Sequence, residues 1–386
     1  MNHIEPARPS VQQLRPSLIR KLANTGIGLA DVIPLWFGEP DQPTPEFIRE
    51  AAKDALDEGN TYYQPNAGLP VLREAIRDYM NGLYDTHFRT DNIIVTASGM
   101  MGVMLAGQCV VSQGDTIVTH APTWPNLPAV QQVLGAQVVR VPLRLRQNRW
   151  YLDLDELFDA CSPNTRALLI NSPANPTGWM LTDDEQRTIL EFCRARGLWL
   201  IADEVYNRII YDRPYAPTFA DKISDDDRVL IVNSFSKTWA MTGWRLGWLT
   251  APSRLLTTLE MLTEFSNSCV LAATQVAGVA ALQGGEPYVK AALERYRAAL
   301  DVLLDTFEAL PRVFLPIPQA AFYAFFSVEG VQDSFAFAQQ ALEQTRVGLA
   351  PGVAFGPEGE RYLRLCFAAE PRLLEAALER LRPLLV

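Results

Sequence analysis

VLIVNSFSKTWAMTGWRLGW, residues 229–248, carries an apolar run straight into a cluster of polar side chains. The run predicts a strand over 230–234, and a second strand is expected over 244–249. An unbroken apolar strand, without alternation between two faces, belongs to a parallel sheet covered by helices on both sides. Ligands of such sheets bind beyond the carboxyl ends of the strands. Ser234, Ser236 and Lys237 stand at that end, and Arg245 follows eight residues after the lysine. Serine hydroxyls and an arginine fork suit a phosphate. A lysine amine beside them can form an imine with an aldehyde. The same residues also read as a surface turn carrying a solvated lysine.

Outward from this segment the pattern repeats. Further strands are expected at 93–96, 116–120, 167–171 and 199–203, with helical stretches such as 183–196 between them. From about Glu286 the order changes to a long helix (288–310), a strand-like segment (321–328), a helix (334–344), a strand (362–367) and a closing helix (371–385). That layout is α+β and suits a smaller second domain. The first 45 residues hold several prolines and little periodicity, and read as an arm that packs on something else. The expected division is an arm at 1–45 that contributes to the small domain, a large domain at 46–286, and a small domain at 287–386.

Composition narrows the function classes. Hydrophobic residues make up 48% of the 386, enough for a large core. A net charge of −10, with no run of Lys and Arg, argues against nucleic acid as a partner. Five widely spaced cysteines without a CxxC read as reduced core thiols, and cytoplasmic localisation is expected. The N-terminal residues lack the apolar core of a signal peptide, and no stretch of about 20 apolar residues predicts a membrane span.

Four other segments carry chemistry. LWLIADE (198–204) ends an apolar run in Asp203, with Tyr206 three residues on. A carboxylate there can keep a pyridine nitrogen protonated and Tyr206 can reach a ring hydroxyl, or the pair is a helix cap and a packed ring. NSPANPTG (171–178) places Asn175 in a turn that either aims an amide into the pocket or merely joins two elements. VTASGMMG (95–102) enters a helix near Gly99, where Ser98 and Gly99 let backbone amides approach a phosphate; a glycine needed for turn geometry alone reads the same way. Arg364 lies in the apolar strand YLRLCF and needs a partner, which is either a substrate carboxylate or an internal acid.

In this order the segments resemble the class I/II aminotransferases of pyridoxal-phosphate (PLP) fold type I, along nearly the whole chain. The matching stretches are WFGEPD (36–41), YYQPNAGLPVLREAI (62–76), APTWPN (121–126), NSPANPTG, ADEVY (202–206), SFSKTWAMTGWRLGW (234–248) and RYLRLCFA (361–368). The resemblance implies an α/β fold with a mostly parallel seven-stranded sheet between helices, plus a smaller α+β domain. It implies PLP held by Lys237 as a Schiff base, with that lysine shuttling the substrate proton. Asp203 then pairs with the pyridinium nitrogen, and Tyr206 and Asn175 with the ring hydroxyl. Ser98, Gly99, Ser234, Ser236 and Arg245 hold the phosphate, joined by Tyr63 from the other subunit of a homodimer with composite sites, and Met100 is the third position of the phosphate loop among the cofactor-binding residues. Trp124 stacks on the ring, Arg364 clamps the substrate α-carboxylate, and Gly38 approaches the substrate from the pocket edge.

One departure bears on substrate. Some relatives carry a lysine in the phosphate loop that meets a second substrate carboxylate, and Met100 cannot do so. Trp36, Met100, Trp124 and Phe355 favour an apolar or aromatic amino acid, while Arg15 or Arg20 of the arm can reach in. The expected reaction is ping-pong transamination between an L-amino acid and a 2-oxo acid. The alternative on the same residues is β-elimination, as in a cysteine-S-conjugate β-lyase. A PLP-binding regulator would need a DNA-binding module, and the arm shows no helix-turn-helix pattern. GIGLAD (26–31) lacks a preceding strand, the histidines (His3, His87, His120) are scattered, HExxH and GxSxG are absent, and no metal site is expected.

Overall fold

Seven segments pair into the central sheet: β1 (Ile93–Thr96), β2 (Thr116–Ala121), β3 (Gln137–Pro142), β4 (Thr165–Asn171), β5 (Trp199–Asp203), β6 (Val229–Ser234) and β7 (Gly247–Thr250). In the computed structural model, which describes residues 7–386, their order is β1-β7-β6-β5-β4-β2-β3. All neighbours are parallel except β7, which runs antiparallel to both β1 and β6. The expectation of a mostly parallel α/β sheet holds. Strands β2, β5 and β6 are buried along their whole length, β5 and β6 on apolar runs and β2 with Thr116, Thr119 and His120 among its buried residues.

The sequence reading contained six of these strands and not β3. QVVRVP lies at the sheet edge, where its outer residues stay partly exposed and a terminal proline costs no ladder bond on the open side. The last strand also starts later than expected. Thr242–Trp244 form a single helical turn, and Arg245 adopts a left-handed conformation (φ 54°), so extended chain resumes only at Gly247.

The helices follow from local chemistry. Asp183–Arg196 begins with a reciprocal Thr182–Glu185 capping box and ends at Gly197 in a left-handed conformation (φ 65°). The arm is not devoid of order: Leu18–Thr25 is a helix capped by Ser17, burying Ile19, Leu22 and Ala23. The long helix Glu286–Glu308 leads to a four-stranded sheet in the order Val313–Phe314, Tyr323–Val328, Tyr362–Cys366, Ala350–Pro351. Ile33–Pro34 pairs in parallel with Val347–Gly348, tying the start of the chain to its last third. Among the described residues no helix is long and apolar enough to cross a membrane.

Candidate active site

A cavity of about 610 Å³ opens beyond the carboxyl ends of β4, β5 and β6, where a parallel sheet presents its loops. Its wall contains Gly38, Gly99, Met100, Trp124, Asn175, Asp203, Tyr206, Ser234, Ser236, Lys237, Arg245 and Arg364. The structure therefore gathers twelve of the fourteen residues singled out from sequence. Ser98 sits just behind the wall, and Tyr63 lies elsewhere on the surface.

Lys237 belongs to the single helical turn Phe235–Thr238 that follows β6. Its Nζ donates to the Gly38 carbonyl at 2.6 Å. Burial pushes its pKa down to about 8, since the charged ammonium loses its hydration. Asp203 closes β5 and is 3% exposed. Burial pushes its pKa up to about 7, opposed by the Val205 N–H at 3.4 Å and by the Lys237 charge. Such a carboxyl has no cation close enough to hold it ionised in the usual range, and a cationic ring nitrogen would supply one.

On one side of the cavity stand hydroxyls and a guanidinium. Ser234 Oγ donates to Ser236 Oγ at 2.9 Å and accepts from the Ser236 N–H at 3.1 Å. Arg245 donates to the Thr242 carbonyl at 2.6 Å and makes no ion pair among the described residues. Ser98 caps the helix Gly99–Val110 by accepting from Met101 N–H at 3.0 Å, in a strained conformation (φ 130°). First-turn amides of a helix lack intrahelical acceptors, and Gly99 and Met100 bring that end to the cavity. A Cβ on Gly99 would sit 3.2 Å from Ser234 Cβ, so glycine lets the helix end close on β6. This donor set fits a phosphate group.

Arg364 is 2% exposed. Its guanidinium donates to Asn175 Oδ1 at 2.9 Å and to the Trp36 carbonyl, and its Nε has no partner. It pairs with no carboxylate among the described residues, so the sequence alternative of an internal acid is removed. A buried cation in a cavity wall without a carboxylate partner calls for an external anion. Tyr323 and Phe355 flank the guanidinium, with ring centroids 4.6 and 5.0 Å from Cζ. Tyr206 pairs its hydroxyl with Tyr323 at 2.7 Å, and burial raises its pKa. Asn175 spends Oδ1 on Arg364, and its N–H donates to Asn171 Oδ1 at 2.9 Å.

Sequence reasoning missed Tyr323 and Asn171, both in the wall. Only the strand register reveals Tyr323, which lies across from Cys366, two residues beyond Arg364. Of the two arm arginines named, Arg20 lines the cavity, stacked 5.1 Å from the Phe37 ring, and Arg15 does not. Phe355 packs beneath Arg364 rather than in the wall. Tyr63 is 90% exposed, beside Tyr62 at 82%. His120 is a neutral core residue: its Nε2 meets the Asn171 backbone and burial pulls its pKa to about 4. His3 lies outside the described residues. No group of three or more potential metal ligands occurs among the described residues.

Known proteins resemble this chain in sequence and in fold. Residues 30–381 match the family described as aminotransferase class I and II. An aspartate aminotransferase of Pyrococcus horikoshii is 36% identical over 95% of this chain and 94% of its own length. An aromatic-amino-acid aminotransferase of Thermococcus litoralis is 32% identical over 97% of each. The solved aspartate aminotransferase of Thermus thermophilus with maleate superposes with a TM-score of 0.92 at 28% identity, covering 99% of this chain and 100% of that one. The chain belongs to the aminotransferase class I and II family and is an aminotransferase.

Proposed function

We propose that this enzyme uses PLP to move an amino group between an L-amino acid and a 2-oxo acid in two half-reactions, by a ping-pong scheme. The observation that carries this reading is Arg364, a buried guanidinium with no carboxylate partner among the described residues, in the wall of the cavity that also holds Lys237 and Asp203. Ser98, Gly99, Met100, Ser234, Ser236 and Arg245 would hold the phosphate, Asp203 the ring nitrogen, Tyr206 and Asn175 the ring hydroxyl, and Trp124 a ring face. When bound, PLP is the electron sink for the pair left at the substrate Cα.

The chain's own groups do the rest. Lys237, with its pKa lowered to about 8, is poised to take the Cα proton and return it near neutral pH. Arg364 binds the α-carboxylate and fixes which Cα bond faces the lysine. The Gly38 carbonyl accepts from the free Lys237 Nζ. Residues 46–286 form the cofactor-binding domain in this reading, and the arm with 287–386 the smaller one. The enzyme works in the cytoplasm as a homodimer. The exposure of Tyr63 supports a composite site in which Tyr63 serves the partner's phosphate.

Ile19, Trp36, Phe37 and Met100 give the side-chain end apolar walls, which favours apolar or aromatic substrates. Arg20 in that wall favours a second reading, acceptance of an acidic side chain. The test is a stopped-flow screen in which PLP-loaded enzyme meets each amino acid singly. Aromatic and apolar amino acids should convert the visible band fastest, and Lys237→Ala should abolish conversion. Sequential two-substrate kinetics would overturn the ping-pong scheme. Release of ammonia and pyruvate without an acceptor would establish β-elimination instead.

A further inference from the structure

Tyr323 is 0% exposed, and its hydroxyl is closed in from two sides. Tyr206 Oη lies 2.7 Å away on one side. On the other, Gly38 is so near that a Cβ there would fall 1.9 Å from the Tyr323 oxygen. Two phenols that share one hydrogen bond have one proton left over. Both tyrosines border the cavity, and either hydroxyl can donate the shared bond. In the PLP reading the Tyr206 proton goes to the ring hydroxyl, so Tyr323 donates the bond between the two phenols.

The ring of Tyr323 has a second contact. Strand Tyr323–Val328 pairs with Tyr362–Cys366 so that Arg364 stands diagonally across from Tyr323. The guanidinium lies over the ring face, 4.6 Å from its centroid, with Phe355 at 5.0 Å as the other neighbour. Two aromatic rings flank the fork.

We propose that Tyr323 is a positioning residue for both ends of the reaction: its hydroxyl aims the Tyr206 O–H at the bound ring, and its ring sets the plane of Arg364 for the substrate carboxylate. The inference rests on the PLP reading above. Accepting a hydrogen bond from Tyr323 polarises the Tyr206 O–H and makes it the stronger donor. Loss of the Tyr323 hydroxyl alone weakens that donor and leaves Arg364 backed by a ring. Loss of the ring releases Arg364 as well.

The experiment uses PLP-loaded wild type, Tyr323→Phe, Tyr323→Leu, Tyr206→Phe and the Tyr206→Phe/Tyr323→Phe double variant. Each is titrated for the pH midpoint of its visible absorbance, and kcat and KM are measured for one amino acid. A weaker donor leaves the ring oxygen more basic, so Tyr323→Phe should raise the midpoint by roughly half a pH unit, with KM within about twofold of wild type. The double variant should show no further rise over Tyr206→Phe, because the hydroxyl acts through Tyr206. Tyr323→Leu should add an increase in KM of about 5–30-fold. An unchanged midpoint in Tyr323→Phe, or additive shifts in the double variant, would overturn the role of the hydroxyl. Equal KM values for the Phe and Leu variants would overturn that of the ring. A wild-type chain that gains no visible band with PLP defeats both this inference and the cofactor reading, whereas a normal wild-type band beside an unaltered Tyr323→Phe defeats the inference alone.

Discussion

Gly38→Ala isolates the closest approach in the site. The added Cβ would lie 1.9 Å from Tyr323 Oη and 2.8 Å from Cζ. Ordinary carbon contacts begin at about 3.5 Å, so one side must give by roughly 1.5 Å. Tyr323 cannot give easily, being fully buried against Phe322 and Tyr206, with ring centroids 5.0 and 5.6 Å away. If it turns, the bond to Tyr206 breaks. If residue 38 moves instead, it carries away the carbonyl that holds Lys237 Nζ at 2.6 Å. Overpacking of this kind costs about 1–3 kcal/mol, and a lost hydrogen bond adds about 1 kcal/mol. For a chain of this size that lowers the melting temperature by roughly 2–6 °C. If half of the cost falls on the reacting geometry, kcat/KM drops by about 10-fold. Thermal unfolding of the loaded enzyme and half-reaction kinetics measure the two effects. Adding Tyr323→Phe removes the atom at 1.9 Å and should recover part of the melting temperature. A Gly38→Ala enzyme that matches wild type in both measurements would refute the steric argument.

Arg364→Lys keeps the charge but loses the planar fork, so KM for the amino acid should rise by about 10–100-fold with a smaller change in kcat; unchanged steady-state KM would place the α-carboxylate elsewhere. Asp203 has a folded pKa raised to about 7, so its stabilising protonated form is fully present below its ordinary value and is lost as pH rises through about 7. Asp203→Asn should therefore raise the apoenzyme's melting temperature at pH 8 and leave it nearly unchanged at pH 4, while the loaded variant loses activity. Equal melting curves at pH 8 would show that the desolvation argument fails. Phe265→Asp places a charge at a surface ring that is 80% exposed, and should shift the proposed homodimer to monomer in sedimentation with parallel loss of activity. A dimer that survives this change puts the interface on another face.

Much of the site could be read along the chain because its parts are local. An apolar run ending in Ser-Phe-Ser-Lys is a strand with polar groups at its carboxyl end, and β6 with Lys237 is that object. Asp203 closes β5 for the same reason, and the helix Asp183–Arg196 carries its own cap and stop. Edge strand β3 was not legible, since half-exposed residues at a sheet margin lack the apolar signature.

By itself, then, the sequence determined the order of strands and helices, the lysine and carboxylate at the strand ends, and the arginine in the strand of the second sheet. Each depends on neighbours a few residues away. Only the tertiary structure decided that Arg364 meets no internal acid, that Tyr206 bonds to Tyr323, and that Gly38 is a glycine because Tyr323 leaves no room for a Cβ. Those contacts join residues more than a hundred positions apart. They arise when two sheets pack around one cavity, and no local pattern of residues encodes which side chains then touch.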